Sequence, residues 1–152
     1  MAVVSREFLA EDAAIGAREL IEYCYAQGWT DGLPVVPPIR EFVDEFLALT
    51  DRDPAEVLMV QSHLDRSCTV REAAINAVMA GCRPEYFPVV LAAVDAFEAS
   101  GIARTNLMQS TTGQAEILIV NGPIRRELGF NSTENIFGPA TGPTRPWVGR
   151  YG

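Results

Sequence analysis

Apolar residues recur at helical spacing in several stretches of the chain and run unbroken in one, and this contrast sets the expected architecture. Over residues 5–27, Ala13, Ala17, Leu20, Ile21 and Cys24 fall on one stripe, with Glu11, Arg18, Glu19 and Glu22 largely elsewhere. That spacing predicts an amphipathic helix, stopped by Gly28. A second helix, over residues 39–49, places Phe42, Val43, Phe46 and Leu47 on one face with acidic residues opposite. The sequence Thr69-Val70-Arg71-Glu72 is a capping box, in which the Thr hydroxyl and the Glu carboxylate satisfy each other's unpaired backbone donors. It opens a helix to Ala80 whose Ala73, Ala74, Ala77 and Ala80 form small faces for close packing, with Gly81 ending it. The last long helix is expected over residues 84–100, with Pro84 at its start and Val90, Leu91, Val94 and Phe97 as the buried stripe.

The unbroken run is Ile117-Leu118-Ile119-Val120, the pattern of a strand covered on both faces and hence of a central one. Residues 103–111 are expected to pair with it as a hairpin through Thr112-Gly113-Gln114. Asp53-Pro54-Ala55-Glu56 reads as one turn leading into an edge or second strand at Val57-Leu58-Met59-Val60. The expected fold is therefore α/β, a single mixed domain over residues 1–138, with a small sheet of about three strands, including a hairpin, covered by helices. Residues 139–152 form a Pro/Gly-rich tail that makes no core by itself. Between the first two helices, Trp29 to Pro38 must run extended, because its prolines forbid both helix and central strand. Its Trp, Leu and Val residues are too apolar for a free linker, so it is either a packed connecting arm or a loop lining a substrate.

Composition narrows the partners. A chain of 152 residues with 48% hydrophobic content can bury a core of ordinary size. A net charge of −8, with no basic run, argues against nucleic acid and against an anionic membrane surface, which leaves small molecules or proteins. The opening MAVVSREFLAEDAA carries acids where a signal peptide needs basic residues, and no apolar run reaches spanning length, so a cytoplasmic home is expected. Three widely spaced cysteines, Cys24, Cys68 and Cys82, fit reduced thiols rather than a disulfide framework.

Chemistry is expected where the central strand meets dense polar backbone. Asn121-Gly122 ends the strand, Pro123 can occupy the first position of a helix, and Gly129 lies where a helix of under two turns would stop. Ligand sites in open sheets lie off the carboxyl ends of strands, so Asn121, Gly122 and the loop residues Asn131, Ser132 and Asn135 are the candidates to hold substrate by hydrogen bonds. The same residue types also serve a loop that bonds itself. Cys82 is the candidate nucleophile: it precedes a helix start, where the positive dipole end and the neighbouring Arg83 would lower a thiol pKa. Its alternative role is a small residue packed between Ala-rich helices. The single histidine, His63, lies in a polar loop with no second ligand at helical spacing and reads as an ordinary loop residue. Scattered Cys and His give no zinc spacing, and no glycine-rich phosphate loop is present, so no metal and no nucleotide cofactor is expected.

Three phrases, GWTDGLPVVPP (28–38), AINAVMAGCRPEYFPVVLAA (74–93) and IVNGPIRRELGFNS (119–132), with FGP at 137–139, strongly resemble a family found beside UGSC-family (seleno)proteins. The partner's UGSC motif is similar to the selenocysteine or cysteine motif of the glycine and betaine reductase B subunits, which attack activated carbon–heteroatom bonds. The resemblance implies a shared active site in a two-component enzyme, a lyase or reductase, with a chalcogen nucleophile supplied partly by a second subunit. Relatives continue after the FGP element into a further helical segment. The resemblance thus implies that this chain corresponds to the first half of a longer protein, with the other half supplied in trans. Two further readings stay open: a noncatalytic subunit that stabilises a catalytic partner, and a homo-oligomeric small-molecule binding protein.

Overall fold

The computed structural model describes residues 13–61, 65–101 and 117–130. The elements in chain order are α1 (Ala13–Ala26), α2 (Arg40–Leu47), β1 (Val57–Gln61), β2 (Arg66–Thr69), α3 (Val70–Met79), a 3-10 turn (Pro84–Tyr86) running into α4 (Phe87–Ala99), and α5 (Ile124–Glu127). The chain is mixed α/β, a small sheet covered by helices. The expectations for residues 5–12, for His63, for the strand at 103–111 and its turn, for Asn131, Ser132 and Asn135, and for the tail at 139–152 lie outside the described residues.

Helix α3 is the centre of the packing, in contact with α2, β2 and α4. Every residue from Ala73 to Met79 except Asn76 is buried, and the small Ala73, Ala74 and Ala77 side chains allow its neighbours to approach closely. Around it gather Val43 and Phe46 of α2, Leu58 of β1, and Phe87 and Leu91 of α4. The expected capping box forms: Thr69 N–H donates to Glu72 Oε2 at 2.7 Å and Glu72 N–H donates to Thr69 Oγ1 at 3.2 Å. Thr69→Ala removes the Oγ1 acceptor of Glu72 N–H and the hydroxyl that donates to Glu72 Oε2 at 3.0 Å, while the backbone Thr69 N–H bond remains, so it should lower stability by about 0.5–2 kcal/mol. A urea denaturation midpoint measured on both proteins checks this.

Among the described residues the sheet has two strands, β1 and β2, joined antiparallel. Val57 faces Thr69 while Met59 faces Cys68, so Leu58 is an extra residue in β1, and this bulged residue is the one buried in the core. Strand β1 appears where expected, after a turn in which Glu56 N–H donates to Asp53 O at 2.9 Å and Ala55 N–H to Asp53 Oδ1 at 2.8 Å. Strand β2 is not anticipated by the sequence reading: the polar loop around His63 extends to Arg66, and only that residue of it lies in the strand. Its Arg66 and Ser67 are exposed, so it has no apolar alternation to announce it, and backbone pairing with β1 alone makes it a strand. The expectation for 117–120 is corrected as well. The run carries no ladder pairing among the described residues, and Ile117 and Ile119 are 73% and 79% exposed. Unbroken apolarity marks a segment that favours cover on both faces, and Ile117 and Ile119 do not have it, while the expected partner at 103–111 lies outside the described residues.

Two helix faces also differ from expectation. Phe42 is 40% exposed, with Val43 and Phe46 carrying the buried face of α2. On α4 the buried residues are Phe87, Val89 and Leu91, with Val90, Val94 and Phe97 half-buried. The start of that helix, FPVVLAAV, is apolar all round, so its inward face is chosen by α3 and β1 rather than by periodicity. An ion cluster ties the turn before β1 to the C-terminal half of α4. Arg52 donates from Nε and Nη2 to the Glu56 carboxylate at 3.0 and 2.6 Å, and from Nη1 to Asp95 Oδ2 at 2.7 Å. The paired guanidinium holds the Glu56 carboxyl below the usual carboxylate range.

Candidate functional site

The corner between α3 and α4 is built by backbone hydrogen bonds that the sequence encodes with one glycine. Gly81 N–H donates to Val78 O at 2.8 Å and Cys82 N–H donates to Ala77 O at 3.0 Å, the double closure of a Schellman motif. Gly81 sits at φ +76°, where any side chain would strain the backbone. The same pair of bonds closes α1 through Gly28 and Trp29, and α5 through Gly129 and Phe130. Cys82 is therefore the second residue beyond Ala80, the C-cap of α3. It also lies one residue before Arg83, the N-cap of the 3-10 turn that leads into α4.

This position changes the electrostatic argument for the thiol. The expectation for the thiol weighs only the positive end of the following helix, yet Cys82 is bonded through its own backbone to the negative, carbonyl end of α3. The two helix ends act on it in opposite senses, and Arg83 remains the positive neighbour in sequence. Cys82 is half-buried and packs against the hydrophobic core. Its setting thus combines partial access with firm anchoring of the main chain.

The extended arm packs on this corner. Val35 and Pro38 are buried, Val36 N–H donates to Met79 O at 3.3 Å, and Trp29 sets its edge on Tyr23 with centroids 5.8 Å apart. Thr30 folds the arm's tip, its hydroxyl donating to Leu33 O at 2.7 Å, which leaves Leu33 exposed. Of the two readings of the arm, the packed connection describes residues 35–38, and the tip stands clear of the core.

Asn121 and Gly122 lie in the exposed turn that opens α5, with Gly122 at φ +96° and open space around it. The short helix follows as expected, and Phe130 after it reaches the other locus: its ring lies 6.5 Å from that of buried Tyr86. Tyr86 is in the turn just beyond Cys82, and Phe130 directly precedes Asn131. The structure thereby links the Cys82 corner to the α5 unit, while Asn131, Ser132 and Asn135 lie outside the described residues. Sequence reading missed this ring pair, because the two aromatics lie far apart in the chain and no local spacing relates them.

The other two thiols are poor nucleophiles. Burial pushes the Cys24 thiol pKa up, and burial together with the Glu72 charge pushes up that of Cys68, so both favour the protonated form. Cys68 donates to Thr69 O at 3.6 Å. A thiol whose folded-state pKa lies above its unfolded value of 9.0 binds its proton more tightly in the native state. Stability from this source is intact below pH 9.0 and is lost as pH rises through the raised values. Denaturation midpoints should therefore fall above that pH, and the Cys24→Ala/Cys68→Ala double variant should show a shallower alkaline decline.

No disulfide joins the three cysteines. The chain holds no lysine, so a Schiff-base amine is not among its nucleophiles. Among the described residues no three His, Cys, Asp or Glu side chains converge as a metal site, and no helix is long and apolar enough to cross a membrane. Compared with known proteins, the chain gives no significant match to a family model, a curated protein or a solved structure.

Proposed function

We propose that this chain is one cytoplasmic subunit of a heteromeric enzyme, a lyase or reductase, acting on a small activated carbonyl compound through a thiol nucleophile. That nucleophile is Cys82 or a thiol or selenol of the partner subunit. The observation that carries the proposal is the Tyr86–Phe130 contact, which joins the Cys82 corner to the segment running from Asn121 into Asn131. A nucleophile and amide or hydroxyl donors for the carbonyl oxygen are the minimum equipment for attack on a polarised carbon, and the proposal assigns the first to Cys82 or the partner and the second to the α5 segment. In the reaction the sulfur forms a bond to carbon as the carbon–heteroatom bond breaks, the heteroatom departs with the electron pair, and the thiol proton passes to solvent or a base. Asn121 and the Gly122 backbone, with Asn131, Ser132 and Asn135, would hold the carbonyl oxygen. The need for a partner follows from the resemblance of residues 28–38, 74–93 and 119–132 to a family found beside UGSC-family (seleno)proteins.

A second reading, the noncatalytic subunit, is favoured by the anchoring of Cys82 at the carbonyl end of α3 and its packing against the core. In that case the corner is a stable platform on which a catalytic partner sits. The test common to both is native mass spectrometry on the chain purified by affinity tag from its own source cells. A stoichiometric second polypeptide is the expected result. A folded monomer or homo-oligomer would overturn the heteromeric proposal and favour a self-contained binding protein.

A further inference from the structure

We draw no further inference here: the strongest candidate, the exposed apolar run Ile117-Leu118-Ile119 that leads into the α5 turn, is an unpartnered face, and nothing in the structure shows what covers it.

Discussion

Phe87→Ala is expected to leave the chain on the edge of unfolding. Phe87 is fully buried at the first position of α4, and its ring meets Phe46 of α2 with centroids 5.6 Å apart at 70°. The pair lies beside α3, so the substitution opens a cavity where three helices converge. Truncations of this kind cost about 3–5 kcal/mol, from lost burial plus the cavity that the surroundings fail to close. Domains of this size are stable by only about 5–15 kcal/mol in total. Urea denaturation followed by circular dichroism should show the midpoint collapse, while Val60→Ala, at a site 47% exposed, should leave it nearly unchanged. Equal small effects from the two substitutions would mean that the helices do not converge on Phe87.

What could be read from the sequence was local. The capping box at Thr69, the glycine stops at Gly28, Gly81 and Gly129, and the turn at Asp53 each satisfy backbone groups within a few residues of themselves, so their chemistry is written contiguously. What escaped was chosen by pairing and packing partners rather than by local pattern. Strand β2 is polar and exists because β1 pairs with it. The inward face of α4 was ambiguous because the helix begins apolar on every side. Arg52 and Glu56 stand at a spacing that suggests an ion pair, but Asp95, 43 residues away, completes the cluster through the tertiary fold. The candidate site divides along the same line. Asn121-Gly122-Pro123 announced a turn into a short helix, and the structure has one. That Phe130 would bring this unit to Tyr86 required the fold. The dipole argument for Cys82 was half legible: the sequence shows which helix begins after it, whereas the carbonyl end that its N–H actually engages appears only once the Schellman closure is drawn.

That closure makes Cys82→Ser the decisive substitution. Its backbone bond to Ala77 O survives any side-chain change, so the corner should keep its shape and, under the heteromeric proposal, the variant should still assemble with the proposed partner. Serine is nearly isosteric but a far weaker nucleophile at neutral pH, so a thiol that attacks carbon should lose activity by on the order of a thousandfold or more. The denaturation midpoint should move little, since a half-buried thiol contributes on the order of 1 kcal/mol of packing. Cys24→Ala is the complementary control: its site is fully buried, so stability should fall while the rate per assembled complex is retained. Alkylation supplies an independent readout on the protein as purified from its source cells. If Cys82 is the nucleophile, iodoacetamide at neutral pH should label it ahead of Cys24 and Cys68, whose raised pKa values keep them protonated, and activity should fall in step with that label. Unchanged turnover by Cys82→Ser, with a lowered midpoint, would make Cys82 a packing residue and transfer the nucleophile to the partner subunit.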